Sequence, residues 1–183
     1  VTGLGSVTPL GNDVETTWKN ALAGVSGAGP ITQFDASKFK TQFACEVKDF
    51  DFSKYLDRKE ARKCDRYTLL AIASSEEAIA DSNLEFDKLN RDRIGVIFSA
   101  GIGGIKTFED EVGYYATHEE MGPKFNPFFI PKMISDIAAG HISIRHGLRG
   151  PNFGTVSACA SSTHSAITAF DQIRLGKADA IVV

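Results

Sequence analysis

Long apolar runs are missing from this sequence. No stretch approaches the ~18 apolar residues that a membrane-spanning helix needs, and no charged-then-apolar leader opens the 183 residues. Excess positive charge is missing too. Lys and Arg number 20 against 23 Asp and Glu, and the net charge of −3 supplies no global field for nucleic acid. Cysteine is scarce: Cys45, Cys64 and Cys159 are odd in number and widely spaced. That is a poor disulfide framework and fits a reducing cytoplasm. Without a C-x-x-C pair a zinc site has no support, and neither H-E-x-x-H nor G-x-S-x-G occurs. Low-complexity segments and short-period repeats are absent as well. What remains is the composition of a soluble globular chain, 43% hydrophobic and 23% charged, long enough for one domain with a substantial core.

Apolar strands alternate with helices along the chain. Val1–Gly5 reads as the end of a buried strand, and Ala178–Val183 as a buried strand cut before its turn. Domains seldom end inside such strands, which predicts a fragment of a longer chain. A helix is expected from about Asn12 to Leu22, with Val14, Trp18 and Leu22 on one stripe and Gly24 as its stop. Residues 24–56 read as irregular, with a short strand at Phe43–Val47. Asp57 and Glu60 form a capping-box-like start for one long helix from Lys59 to Ser82. A buried strand at Arg93–Ser99 leads into the Gly101–Gly104 turn and a helix from about Lys106 to His118. The loop Gly122–Pro131 holds prolines and phenylalanines. A helix from Asp136 to Arg145 stops at Gly147. Val156–Ala158 reads as a short strand, and Ser161–Leu175 as a helix closed by Gly176. This order predicts a layered α/β fold.

Several chemical signals dissolve on inspection. Gly3-x-Gly5 would need a third glycine where Thr8 stands, and Lys106 takes that place after Gly101–Gly104, so neither turn is a dinucleotide fingerprint. His141 and His146 are five apart, about 140° around a helix, and are no metal-ligand pair; His118 reads as exposed among Glu119 and Glu120. The Phe125–Phe129 run reads as core packing, with a pocket lining as the alternative. Lys59/Lys63 and Arg62/Arg66 would be like-charged i,i+4 pairs near a helix start, which slightly destabilises a helix. They form either a solvated face or a functional patch.

The cysteine in Gly154-Thr155-Val156-Ser157-Ala158-Cys159-Ala160-Ser161-Ser162-Thr163-His164 carries the strongest signal. A free cysteine is often just a small buried hydrophobe. Here it stands where a strand gives way to a helix. Helix N-terminal amides favour a thiolate, small neighbours admit a substrate, and turn N–H groups can hold an oxyanion. That is the arrangement of a nucleophile elbow with cysteine in the serine place. His164, five residues on, is turned away from Cys159 and reads as structural or supporting.

Six motifs in order and spacing now carry a resemblance: Val1–Gly5, Thr8-Pro9-Leu10-Gly11, Gly101-Ile102-Gly103-Gly104, Phe128-Phe129-Ile130-Pro131, Gly147-Leu148-Arg149-Gly150-Pro151 and Ser157–Ser162. Together they resemble the β-ketoacyl-[acyl-carrier-protein] synthases, most closely those that elongate chains in type II bacterial fatty acid synthesis. The resemblance implies a thiolase-like layered α-β-α-β-α fold, of which residues 1–183 are the N-terminal half, usually in a homodimer. It makes Cys159 the residue that takes the acyl chain as a thioester, and its N–H one of two oxyanion donors. Ile102 and Phe129 match positions lining the acyl pocket. Lys59, Arg62 and Lys63, with Lys124 beside them, match a basic patch that docks acidic acyl carrier protein, whose phosphopantetheine carries the substrates; no other cofactor is implied. A polyketide ketosynthase shares this chemistry, and a non-catalytic chain-length partner subunit shares the fold but lacks the reactive cysteine. The family's two catalytic histidines lie in its second half, and none of the four here fits their contexts. Residues 1–183 alone are therefore expected to be inactive; measurable condensation by this segment refutes that.

Overall fold

A computed structural model describes residues 1–183. In chain order, helix α1 (Val14–Leu22) precedes the antiparallel pair β1 (Gly29–Pro30) and β2 (Phe43–Ala44). Then come α2 (Arg58–Ala61), α3 (Arg66–Ser82), β3 (Ile94–Ile97), α4 (Ile105–Thr117), α5 (Phe129–Met133), α6 (Ile137–His146), β4 (Asn152–Phe153), α7 (Ser161–Arg174) and β5 (Ala180–Val182).

The core forms around β3, which is buried at every position. It is the middle strand of an all-parallel sheet, order β4-β3-β5, with Val96 opposite Asn152 and Ile94 opposite Ala180. Parallel strands need both faces covered, and both are. Ile94 and Val96 join Ile72 of α3, Ala139 and Ile142 of α6, and Leu148 in one buried cluster. Side chains alternate along a strand, so Ile97 faces the other way, where α7 packs on β3 and β5. Two glycines allow the close approach of β4: a Cβ on Gly150 would meet the Ile94 backbone at 2.6 Å, and one on Gly95 the Pro151 carbonyl at 2.5 Å. The layered α/β expectation holds.

Most helix boundaries agree with the sequence reading. Asp13 caps α1 by accepting the Thr16 N–H at 2.6 Å, and Gly147 ends α6 in the left-handed region at φ 63°. Several expectations are corrected. The single helix at 59–82 is two, because Asp65 is extended and starts α3 as a second cap; Lys59/Lys63 and Arg62/Arg66 therefore share no continuous helix. The strand precedes rather than includes Val156–Ala158: it ends at Phe153, since Ala158 has φ 51° and opens a 3-10 turn. Val1–Gly5 forms no strand. This segment lies along α3, where Asp81 accepts the Leu4 N–H and Glu77 accepts the Ser6 and Val14 N–H groups. The strand at Phe43 stops at Ala44, and the Phe-rich loop ends in α5. Trp18 and Leu22 stay exposed, so the α1 stripe adds nothing to the core. His118 is half-buried, its ring stacked on Tyr114 at 4.3 Å.

His141 of α6 sits with Nε2 3.8 Å from the Cys64 thiol, in a cavity of about 160 Å³ also lined by Glu60, Lys63 and Arg145. Burial pushes its pKa below the ordinary 6.5; Glu60 opposes this and Lys63 adds to it. The unfolded chain then takes up that proton more readily than the folded one. The stability from this group is complete above about 6.5 and is lost as pH falls through the lower folded value. The unfolding midpoint of the intact protein should therefore drop between about pH 7.5 and pH 5, and His141→Gln should make the drop shallower. Equal slopes for the two proteins would refute the assignment.

Candidate active site

Cys159 stands on a short turn between β4 and α7. After β4, Gly154 passes close to Phe98, where a Cβ would lie 3.1 Å from the carbonyl oxygen. Ala158 then takes φ 51°, a left-handed conformation that costs a non-glycine residue about 1–2 kcal/mol. Residues 158–160 make one 3-10 turn, and α7 starts at Ser161 with no side-chain cap. The turn's own bonds, Ala160 N–H to Ser157 and Ser161 N–H to Ala158, leave the Cys159 N–H unused. Cys159 is exposed. The turn thus places an exposed thiol and a free amide at the positive end of a 14-residue helix.

Hydroxyl groups hold this strained shape. Ser161, 3% exposed, accepts the Ser157 N–H at 2.9 Å and donates to the Ala158 carbonyl at 2.7 Å. One side chain thereby bridges both residues before the cysteine. Beneath it, Thr155 bonds the Ser161 carbonyl and the hydroxyls of Ser99 and the buried Ser165, each at 3.0 Å. His164 bonds the Ser157 hydroxyl through Nδ1 at 2.6 Å, which agrees with its reading as a supporting residue. The other histidines are engaged elsewhere, His146 with Glu76 and His118 with Tyr114 and Thr117.

The other cysteines differ in setting. Cys64 is buried, and burial raises its thiol pKa. Cys45 is exposed like Cys159 but sits beside the β1–β2 hairpin, at no helix end. Exposure alone therefore does not single out Cys159; the turn does.

Ile102, 71% exposed, rides on the Gly101–Gly104 turn. A Cβ on Gly101 would touch Ala158 at 3.6 Å, and the Gly104 N–H donates to the Met133 carbonyl at 2.9 Å. The turn therefore joins the cysteine elbow to α5. Phe129 begins α5, half-buried, its ring stacked on Phe125 at 5.4 Å and near Phe108 at 6.3 Å. Ile102 and Phe129 thus lie on two abutting elements, one of which meets the elbow. Lys59, Arg62 and Lys124 are exposed. Lys63 is half-buried with its ammonium 5.7 Å from the Phe128 ring centre. No ion pair engages these four cations. Lys63 thus contacts the Phe-rich loop to which Lys124 itself belongs. Sequence reasoning missed Ser161 and Asp65. Asp65 was legible as a second N-cap residue type inside the supposed long helix; nothing separated Ser161 from its serine neighbour.

This fold, with a cysteine elbow over a buried parallel sheet, belongs to the thiolase-like class. It superposes on a β-ketoacyl synthase from Burkholderia phymatum STM815 with a TM-score of 0.81 and 25% identity, covering 97% of this chain and 44% of that one. On the ishigamide ketosynthase/chain length factor the TM-score is 0.86 at 24% identity, with the same coverage. The chain belongs to the β-ketoacyl synthase family, matching its N-terminal domain over residues 1–183. It is 43% identical to 3-oxoacyl-[acyl-carrier-protein] synthase 2 of Staphylococcus aureus, across 100% of this chain and 45% of that protein. The protein of the same name from Synechocystis sp. (strain ATCC 27184 / PCC 6803 / Kazusa) is also 43% identical, with 43% of its length covered. The chain thus spans less than half the length of these relatives.

Ser161→Ala tests the elbow. It leaves the Ser157 N–H without its partner and the Ala158 carbonyl with only the Ser161 N–H, a loss on the order of 1–3 kcal/mol. The unfolding midpoint and the rate of Cys159 alkylation should both fall. Ser162→Ala, at an exposed neighbour, should change stability by less than about 0.5 kcal/mol. Equal behaviour of the two variants would refute the role of Ser161.

Proposed function

We propose that this chain is the acyl-accepting half of a condensing enzyme that elongates chains held on acyl carrier protein. The observation that carries the reading is Cys159 on its elbow, exposed at the amino end of α7, in a chain matched throughout by the family's N-terminal domain. The names of the relatives support acyl-carrier substrates.

The reaction has two halves. The Cys159 thiolate attacks the carbonyl carbon of an acyl-carrier thioester, and negative charge builds on the oxygen beside the free Cys159 N–H. The tetrahedral species collapses, a Cys159 thioester forms, and the carrier leaves as its phosphopantetheine thiol. Malonyl-carrier protein then loses carbon dioxide. The resulting carbanion attacks the acyl-enzyme carbonyl, the C–S bond to Cys159 breaks, and a 3-oxoacyl carrier two carbons longer departs. His118, His146 and His164 bond the groups named above, and His141 faces Cys64. Decarboxylation is therefore assigned to groups outside residues 1–183. Carrier docking falls to Lys59, Arg62 and Lys63, joined by Lys124, a local attraction that a net charge of −3 does not oppose at short range. Ile102 and Phe129 line the acyl chain's path. The enzyme is taken as a cytoplasmic homodimer that needs no resident cofactor. No helix here is long and apolar enough to cross a membrane.

Two measurements on the intact protein test this. With acyl- and malonyl-carrier protein it should form 3-oxoacyl-carrier, and Cys159→Ala should lower that rate at least about a hundredfold. Iodoacetamide should alkylate Cys159 ahead of Cys45 and Cys64. Undiminished turnover in Cys159→Ala would refute the proposal. Combined Lys59→Glu, Arg62→Glu and Lys63→Glu changes should raise KM for the acyl carrier about tenfold or more while sparing acylation by a small free thioester. Equal loss with both donors would remove the docking role.

A further inference from the structure

One carboxylate outside the elbow is buried without a cation. Asp65 is 8% exposed and joins no ion pair. Burying a carboxylate is costly unless donors surround it, and three do. Oδ1 accepts the Tyr67 N–H at 3.2 Å, capping α3. Oδ2 accepts the Thr107 N–H at 3.1 Å and the Thr107 hydroxyl at 2.6 Å. Thr107 is the third residue of α4, where a cap residue's own side chain normally bonds. The α4 cap position is Gly104, which has no side chain to offer. Asp65 therefore caps two helices at once.

Gly104 cannot be replaced by a residue that caps for itself. A Cβ there would strike the Lys132 carbonyl and come within 3.1 Å of Asp65 Oδ2. Gly103, at φ 95°, is pressed as closely on the Met133 carbonyl. The turn that carries Ile102 is thus clamped by Asp65 through Thr107 on one side and by α5 on the other, with Gly101 against Ala158. The same carboxylate follows Lys63 by two residues, and Lys63 lies over Phe128 at the head of α5. The basic segment, the turn and α5 form one closed circuit of contacts, which meets the elbow where Gly101 lies against Ala158.

We propose that Asp65 is a positioning residue that fixes Ile102 against the cysteine elbow through Thr107, and so sets the enzyme's discrimination among acyl lengths. The inference rests on the proposed function. Loss of the Asp65–Thr107 bonds frees the first turn of α4, and the wall at Ile102 no longer holds one position.

The test uses the intact enzyme with Asp65→Asn, Thr107→Val and Thr107→Ser. Asparagine keeps an oxygen for the α3 cap but turns an NH2 donor toward the Thr107 donors. Serine keeps the hydroxyl and valine removes it. The ratio of kcat/KM for long over short acyl carriers should change at least about threefold in Asp65→Asn and Thr107→Val. It should stay at the wild-type value in Thr107→Ser, and carrier binding should stay within about twofold in all three. Amide exchange at Thr107 should quicken in Asp65→Asn. An unchanged length ratio, or an equal loss at every length, overturns the proposal. Unchanged Thr107 exchange beside an active wild type overturns it too and leaves the function standing. Faster exchange in a protein whose wild type condenses nothing supports the clamp and refutes the proposed function alone.

Discussion

The backbone pairing of Ile94–Ile97 with Gly150–Phe153 is the contact on which the rest is built. The Gly150 N–H donates to the Ile94 carbonyl at 2.9 Å and the Val96 N–H to the Pro151 carbonyl at 2.8 Å. Bulk is excluded at the crossing by Gly95 and Gly150. This seam does two things at once. It buries the central strand, so that Ile94 and Val96 gather α3 and α6 around them. It also fixes where β4 ends, six residues before Cys159. Anything placed after Phe153 inherits its position from a fully buried strand, and for that reason a three-residue turn can hold a strained conformation.

That strain is local and locally offset. Ala158 adopts φ 51° without the glycine that such backbone favours. The two hydrogen bonds of Ser161, at about 1 kcal/mol net each, are of the same size as the conformational cost. A residue that spends its hydroxyl on the two positions before the cysteine leaves the cysteine's own amide free. Satisfying that amide within the turn would steady the fold and remove the donor that the proposed reaction uses at the oxyanion.

Much of the fold was legible in the residues, and the reasons differ by element. α6 and α7 are amphipathic and end at glycines, so period and stop signal agree. β3 is a short apolar run with β-branched residues. The break between α2 and α3 carried one faint signal, the cap-type residue Asp65, in a stretch (Arg58–Ser82) with helical spacing throughout and no Gly or Pro. It exists because Asp65 finds donors 42 residues away, at Thr107, and long-range bonds leave no mark on local periodicity. The misplaced strand at Val156–Ala158 has a similar cause: apolar side chains predicted a strand, but the hydroxyls of Thr155 and Ser161 hold that backbone in a turn. Cys159 itself was legible from its small neighbours. The bracing of its turn by Ser161 was not.

The placement of charge follows from the same geometry. In one unbroken helix, Lys59, Arg62, Lys63 and Arg66 would stack like charges at i,i+4. The break at Asp65 parts them, Arg66 turning to the Val47 carbonyl at 3.0 Å and Lys63 to the Phe128 ring. Cations freed from one another and from ion pairs keep their attraction for an acidic partner, and at this exposure that attraction acts over about a Debye length, 8–10 Å in physiological salt. The chain's overall −3 is spread over a larger surface and is screened at that range. The carboxylate that follows these cations in the chain is also the one that holds the first turn of α4, so the helix break that parts the charges and the start of α4 are set by one buried side chain.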